Sequence, residues 1–280
     1  MVVPVRDGEA SLGALLDSLA SQELAPERYE VIVVDNASRD ASGRVAAERG
    51  ARVVFEARPN RSRARNAGVA AARADLIAFT DADCTVSPQW LGALLACRGR
   101  APLVAGPVEI ETRDAPNAIE RFETLWRFDQ RSAVANGYAA TANLMVERSA
   151  FDTVGGFDPA YRHIAEDADF CVRASRAGLD LAYCERAVVR HGAEHELGAV
   201  IRRSFFHGYS AAQAKRRIGV GNVAWRHPRP LVSPAAALAW HSPAAGSLPR
   251  SERRAQAALA SAAYASRVAG SVWATVRCAR

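Results

Sequence analysis

Residues 76–83 of the chain are Leu76-Ile77-Ala78-Phe79-Thr80-Asp81-Ala82-Asp83. Four apolar residues stand in a row, and after Thr80 come two aspartates separated by one alanine. A short, continuous apolar run is typical of a strand that is buried on both faces of a parallel sheet. The stretch therefore predicts a buried strand over residues 76–80, with two carboxylates directly beyond its end.

The segments before this stretch alternate in the same way. Predicted strands cover Val2–Val5, Glu30–Val34 and Arg52–Phe55, and predicted helices cover Ala10–Ser21, Ser38–Arg49 and Arg61–Arg73. This alternation is typical of an α/β fold, in which helices flank a mostly parallel, Rossmann-like sheet. Ligands of such sheets bind beyond the carboxyl ends of the strands. The first strand begins almost at Met1, so it is either a clipped edge strand or the true start lies upstream.

Composition limits the kind of protein. The 280 residues are 49% apolar, which is enough for one α/β domain with an appendage. The formal net charge of +6 suits phosphate-bearing ligands, acidic lipid surfaces or nucleic acid. Because no zinc-finger spacing or aromatic-rich RNA-binding pattern accompanies the charge, nucleic acid is disfavoured.

The cysteines and the length of the apolar runs indicate the cellular compartment. Five cysteines lie far apart without a C-x-x-C pair, which argues against a disulfide framework and for a reducing environment. Because residues 1–5 run straight into a strand pattern, we expect no secretory signal. No apolar run reaches the ~18–20 residues of a membrane span. We expect a cytoplasmic chain, with possible peripheral contact at the inner face of a membrane.

The chain as a whole is expected to divide into a domain and a tail. We expect one domain over residues 1–218, with a nucleotide-binding half at about 1–110 and an acceptor half at about 111–218 that ends in a helix, Glu196–Arg217. Residues 219–280 are expected to form a proline-containing linker and an Ala/Arg-rich helix, Ser251–Arg277. The larger apolar residues of this helix fall near one stripe: Leu259, Tyr264, Val268, Val272 and Val276. The stripe could dock on the first domain, which we favour, or lie on an anionic membrane.

Three groups of polar residues are candidates for chemistry. Asp81 and Asp83 could share a divalent cation that bridges substrate phosphates, or could be solvated acids in a turn. Asp35 follows a strand and could accept hydrogen bonds from a base or ribose, while Asn36 or Ser38 caps the next helix; alternatively, Asp35 is itself the cap. The arginines of residues 61–65 open a helix, which favours phosphate binding, although Arg61 and Arg63 could equally be solvated.

Together with two later motifs, these residues resemble the family 2 glycosyltransferases of the GT-A fold. The resemblance covers roughly residues 1–215 and rests on the order and spacing of the motifs. The later motifs are Gly155-Gly156-Phe157-Asp158 and Glu166-Asp167-Ala168-Asp169-Phe170-Cys171-Val172-Arg173, and the Ala142-Asn143-Leu144-Met145 stretch also fits.

The resemblance implies a role for each matching residue. The expected nucleotide-sugar contacts are Pro4, Arg6, Asp35, Arg65, Asn66 and Asp81. The expected ligands of a cation, Mn²⁺ or Mg²⁺, are Asp83, Asp81 and His191, although a histidine near a strand end is often structural. Asp167 would be the catalytic base of an inverting transfer. At a helix N-terminus the dipole should keep it ionised, although Glu166, Asp167 and Asp169 could all merely serve the dipole, and Asp169 could pair with Arg173.

The sequence also departs from some members of the family. The Q-x-x-R-W motif of many processive members is absent, and Arg202–Tyr209 occupies that region. We therefore expect transfer of one sugar, with a UDP-sugar as the expected donor, to a sugar, lipid-linked or small-molecule acceptor. A Rossmann oxidoreductase or nucleotidyltransferase would need a glycine-rich loop where Arg6-Asp7-Gly8-Glu9 stands. The remaining alternative is a non-catalytic nucleotide-sugar- or membrane-binding module.

Overall fold

The computed structural model describes residues 1–219 and 249–277. Its strands are β1 (Val2–Val5), β2 (Ile32–Asp35), β3 (Arg52–Phe55), β4 (Leu76–Phe79), β5 (Cys84–Val86), β6 (Leu103–Ala105), β7 (Val108–Glu111), β8 (Leu144–Glu147), β9 (Leu181–Tyr183) and β10 (Val189–Gly192). Its helices are α1 (Glu9–Ala20), α2 (Ser42–Glu48), α3 (Arg61–Ala71), α4 (Trp90–Cys97), α5 (Ala118–Trp126), α6 (Gln130–Ala135), α7 (Arg148–Val154), α8 (Glu166–Arg176), α9 (Leu197–Ile218) and α10 (Arg250–Arg277). The proposed linker over residues 220–248 and Cys278 lie outside the described residues.

A seven-stranded sheet forms the centre of the fold, with the order β3-β2-β1-β4-β8-β6-β9. Strands β1 to β4 are parallel, β8 is antiparallel to both β4 and β6, and β6 is parallel to β9. The prediction of a mostly parallel α/β sheet flanked by helices is therefore confirmed. The strand order reverses beside β1, because β2 and β4 lie on either side of it, so a ligand crevice is expected there.

The chain divides into two compact units. The first contains residues 1–109 and 129–191, and the second contains residues 110–128 and 192–280. The core of the first unit includes the inward-facing residues of β1, β2 and β4, and four phenylalanines, Phe79, Phe151, Phe157 and Phe170. The rings of Phe157 and Phe170 lie 4.7 Å apart and those of Phe79 and Phe157 lie 5.4 Å apart. These contacts join the strand before the two aspartates to the helix that contains Asp167.

The expected cap of the second helix is wrong. Helix α2 begins at Ser42, with Ala41 at its N-cap position and no side-chain capping bond. Asn36 is buried instead, where its side chain donates to the carbonyls of Glu56 and Arg58 and accepts from the Asn60 amide. Residues 36–41 therefore form a loop that is held by tertiary hydrogen bonds rather than by helix capping.

The cysteines also differ from expectation. Cys97, at the end of α4, and Cys184, just after β9, form a disulfide with their Cα atoms 6.1 Å apart. Cys84 and Cys171 are buried free thiols. The expectation that the cysteines stay unpaired is wrong for Cys97 and Cys184, because the sheet brings together two residues that are 87 positions apart in sequence.

In the second unit, α10 packs along α9 through small residues. A Cβ atom on Gly208 would lie 1.8 Å from the Arg267 carbonyl oxygen, and one on Gly270 would lie 2.0 Å from the Phe205 carbonyl oxygen. The hydroxyls of Ser266 and Ser271 donate to carbonyl oxygens of α9 at 2.8 Å. The two helices therefore meet backbone to backbone.

The predicted apolar stripe does not form this contact. Tyr264, Val268, Val272 and Val276 are exposed, and only Leu259 of the predicted set is partly buried. The helix does dock on α9, which lies within the expected first domain, but the stripe is not the docking face, because the close approach of α9 selects glycine, serine and alanine for the buried face. No described helix combines the length and the apolar character that crossing a bilayer requires.

Replacing Gly208 by alanine should separate α9 from α10, because the new Cβ atom meets backbone that cannot move alone. We expect a loss of about 1–3 kcal/mol in the free energy of unfolding, measured by urea denaturation. Gly198 is the matched control, since it is in the same helix and nothing lies within 4 Å of a Cβ atom added there. Gly198→Ala should leave stability unchanged or slightly raised; equal effects of the two changes would contradict the close packing.

Candidate active site

The carboxyl ends of β1 and β2 hold the first group of expected residues. Val5 is in register with Asp35, whose carboxylate accepts from the Ser38 amide at 2.9 Å and is half-buried. Pro4 is half-buried within β1, and Arg6 is exposed directly beyond that strand. The three predicted nucleotide contacts Pro4, Arg6 and Asp35 therefore lie at one edge of the sheet.

Arg65 is the buried centre of the site. It is 2% exposed, and its guanidinium donates to Glu166 Oε1 at 2.7 Å and to Asp81 Oδ1 at 3.0 Å. Burial opposes its charge, but Asp81 and Glu166 outweigh burial and raise the pKa of Arg65. One permanently charged side chain thus joins the end of β4 to the first turn of α8.

This ion pair also determines the protonation state of Asp81. Burial by itself would raise the pKa of Asp81, but the positive charges of Arg65 and Arg61 and the nearby His191 outweigh it and lower the pKa. Asp81 is therefore ionised at neutral pH. Its carboxylate is held toward α3 and α8 by Arg65.

Asp83 lies on the opposite side of the D-x-D turn, beside His191. The His191 Nε2 atom is 3.3 Å from Asp83 Oδ1. Because β5 and β10 are antiparallel with Cys84 opposite His191, the Cys84 thiol joins this pair. The ligand atoms of Asp83, Cys84 and His191 all lie within 4.8 Å of one another. Among the described residues this is the group that could hold a metal ion, and it does not include Asp81.

The donor atoms of this group decide which ion it suits. The Asp83 oxygen and the imidazole nitrogen of His191 are acceptable ligands for Mn²⁺, and the exposed Asp83 leaves room for water and phosphate oxygens. The residues therefore fit a divalent cation. Sequence reasoning missed Cys84; its place next to Asp83 was visible, but its pairing with His191 depends on the register of two distant strands.

Asp167 lies at the start of α8 and is half-buried. The Tyr138 hydroxyl donates to Asp167 Oδ2 at 3.2 Å, and the Ala168 amide donates to Oδ1 at 2.8 Å. Burial above all, and then the charge of Glu166, raise the pKa of Asp167 to about 7, although Arg65 and both hydrogen bonds act in the opposite direction. The expectation that the helix dipole keeps Asp167 fully ionised is therefore wrong, because burial and a neighbouring carboxylate outweigh it.

The neighbours of Asp167 have separate partners. Glu166 is bound to Arg65, and Asp169 is bound to Arg173 at 2.6 Å, which confirms the expected local pair. Tyr138, which sequence reasoning missed, follows the short helix α6, and no motif marks it. Of the three acids at the start of α8, Asp167 is thus the one without an ion-pair partner in the described structure.

Asn66 is placed differently from Arg65. Its side chain donates to the Phe157 carbonyl at 2.8 Å and accepts from the Phe157 amide at 2.9 Å. Gly156 has a positive φ of 73°, and a Cβ atom added to it would lie 3.0 Å from Asn66 Oδ1. Asn66 therefore holds the Gly155-Gly156-Phe157 turn on α3, and the structure does not bring its amide to the acidic cluster.

Comparison with known families and proteins identifies the family of the chain. The model of the family described as "Glycosyl transferase family 2" matches residues 1–129, and that of "Glycosyl transferase family group 2" matches residues 76–274. The pre-mycofactocin glycosyltransferase of Mycobacterium tuberculosis is 33% identical over 258 residues, which cover 86% of this chain and 51% of that protein. The chain thus spans about half the length of this relative.

Two solved structures share the fold. The mannosyltransferase PcManGT from Pyrobaculum calidifontis, in complex with GDP-Man and Mn²⁺, has a TM-score of 0.66 at 17% identity, covering 98% of this chain and 86% of that one. Residues 1–349 of S. aureus TarS, in complex with UDP-GlcNAc, have a TM-score of 0.55 at 15% identity, covering 100% and 91%. At such identities the likeness concerns the fold. With the family models and the relative, it shows that the chain belongs to the family 2 glycosyltransferases and has their GT-A fold.

Proposed function

We propose that this chain transfers one sugar from a nucleoside-diphosphate sugar to an acceptor hydroxyl, with inversion and with the help of a divalent cation. The observation that carries the proposal is the bridge from Asp81 through Arg65 to Glu166, beside Asp167. The bridge links Asp81, which is suited to contact the donor, to the start of α8, where Asp167 is suited to contact the acceptor. The acceptor is a sugar, a lipid-linked molecule or a small molecule.

The donor side is formed by the strand ends. Asp35, Pro4 and Arg6 would contact the base and ribose, and the ionised Asp81 would contact the ribose. Arg65 contributes through Asp81, because its guanidinium is buried against two carboxylates. The neighbours PcManGT and TarS were solved with GDP-Man and UDP-GlcNAc, which supports a nucleoside-diphosphate sugar. A UDP-sugar is our first choice of donor.

Asp83 and His191 would hold Mn²⁺ or Mg²⁺, with Cys84 at their side. Such a cation, when bound, neutralises the negative charge that develops on the departing diphosphate. Asp83 is the exposed member of the three, which supports a role in meeting a donor that arrives from solvent. His191 is buried and fixed in the sheet opposite Cys84.

Asp167 would act on the acceptor. The acceptor oxygen attacks the anomeric carbon from the face opposite the diphosphate, the bond to the diphosphate breaks, and Asp167 accepts the hydroxyl proton. A base is most effective when its pKa lies near the working pH, and the pKa of Asp167 is about 7. Tyr138 orients the carboxylate by its hydrogen bond to Oδ2.

The first test measures donor binding and turnover together. With Mn²⁺ and a panel of sugar nucleotides, the wild-type chain should hydrolyse one donor slowly, and that donor should raise its melting temperature. Asp83→Ala should abolish turnover and the Mn²⁺-dependent part of the melting shift. Asp152→Ala, a change of an exposed acid elsewhere, is the control. Binding of a donor with no turnover by the wild type, whatever the acceptor, would identify a non-catalytic binding module.

Asp167→Asn should lower kcat by about 10²–10⁴-fold while sparing donor binding. The folded protein raises the pKa of Asp167 from 3.8 to about 7, so its ionised form destabilises the fold, increasingly from about pH 4 up to about pH 7. At pH 8 the asparagine variant should therefore melt at the same or a higher temperature than the wild type. Near-normal turnover by this variant would disprove the assignment of the base.

The pH dependence provides an independent test. The rate should fall below about pH 7, because protonated Asp167 cannot accept the acceptor proton. The hydrogen bond from Tyr138 lowers the pKa of Asp167, so Tyr138→Phe should move the acidic limb of the kcat/KM profile to higher pH. Tyr29→Phe, which also loses one hydroxyl hydrogen bond, should leave the profile in place; equal profiles for all three proteins would contradict the role of Tyr138.

A further inference from the structure

Four apolar side chains form an exposed row along α10. Tyr264, Val268, Val272 and Val276 recur every four residues and are 38%, 41%, 57% and 53% exposed. Residues four apart lie on the same face of a helix. A single exposed apolar residue is ordinary, but these four, which we call the apolar row, line a continuous strip along three turns.

The packing of the second unit explains why the row faces outward. Gly208 and Gly270 let the backbones of α9 and α10 touch, and Ser266 and Ser271 bond to carbonyls of α9. The small side chains of α10 are therefore inside and the large apolar ones outside. This distribution is the reverse of a helix that packs on a water-soluble core, and small residues between helices are typical of helix pairs in lipid.

The charge of the two helices is strongly positive. The sequence of α9 contains five basic residues and no acid, and that of α10 contains five basic residues and one acid, Glu252. That acid is 2.7 Å from Arg121 of α5 in an ion pair. The helix pair therefore carries an excess of positive charge, part of which Glu123 of α5 neutralises in its ion pair with Arg203.

The basic last turn of α9 lies beside the C-terminal end of α10. Lys215, Arg216 and Arg217 are exposed, and Arg216 Nη2 donates to the Ala274 carbonyl at 2.6 Å. Trp273 lies at the same end, 41% exposed, with its ring 5.6 Å from that of Tyr209. Apolar, aromatic and cationic groups thus share one end of the helix pair.

We propose that the apolar row and the basic turn at 215–217 bind flat on the surface of an anionic lipid bilayer. Valine side chains enter the boundary between headgroups and acyl chains, the tryptophan lies at the headgroup level, and the cations contact lipid phosphates. A second copy of the chain fits this surface poorly, because it would bring two sets of like charges together. The proposal does not depend on the proposed transfer reaction.

The experiment measures partition of the full chain onto vesicles by flotation. The wild type should bind vesicles of phosphatidylcholine mixed with phosphatidylglycerol, and added salt should weaken this binding. Pure phosphatidylcholine vesicles should bind it much less. The absence of binding to the anionic vesicles, or equal binding to both kinds, would overturn the proposal.

Variants locate the surface. Val268→Thr, Val272→Thr and Val276→Thr combined keep shape and charge at exposed positions and should weaken binding at least ten-fold. The control combines Val53→Thr and Phe55→Tyr, two exposed apolar residues of β3, and should bind as the wild type does. Lys215→Gln should weaken binding about five-fold.

Two further results would contradict the proposed membrane-binding role of the apolar row. Undiminished vesicle binding by the threonine variant would overturn the role of the apolar row. A wild type that self-associates without binding vesicles, together with a monomeric threonine variant, would make the row a contact between copies. Donor hydrolysis should be unchanged in the threonine variant, so failure here is distinguishable from failure of the proposed transfer reaction.

Discussion

The buried guanidinium of Arg65 holds the candidate active site together. A charge removed from water is costly, and it is retained only where good partners compensate for lost hydration. Here the partners are Asp81 and Glu166, which lie on different elements. Loss of either carboxylate would leave the buried charge of Arg65 without enough negative charge beside it. Because Arg65 needs both partners, it fixes the turn after β4 relative to the start of α8. Truncation of Arg65 would in turn leave Glu166 buried without its partner.

The same ion pair gives Asp81 and Asp167 different pKa values. Asp81 lies close to Arg65 and is kept ionised, whereas Asp167 lies beside Glu166 and has a pKa raised to about 7. One aspartate is thus suited to a permanent negative charge near a ribose or cation, and the other to gaining and losing a proton. The difference arises from neighbours and burial, since the two side chains are chemically identical.

The sequence was sufficient wherever the determining pattern is local. Strands β1 to β4 and helices α1, α3, α9 and α10 begin and end within about two residues of the expected positions, because apolar runs and helical periodicity are set by neighbours along the chain. The strand ends then place Asp35, Asp81 and Asp83 at one edge of the sheet. Cys84, Tyr138 and the disulfide between Cys97 and Cys184 could not be predicted, because each depends on residues brought close only by the completed fold.

The C-terminal helix shows why a local pattern can predict an element and still mistake its face. Its larger apolar residues lie on one stripe, and in a water-soluble helix such a stripe normally faces the core. Contact between helix backbones is a competing way to bury surface, and it favours glycine and serine over valine. Because Gly208, Gly270, Ser266 and Ser271 allow that contact, the stripe is left exposed on the opposite face of the helix. The exposed valines follow from the tight packing of the helix pair, and the same packing keeps the row and the basic turn in fixed register.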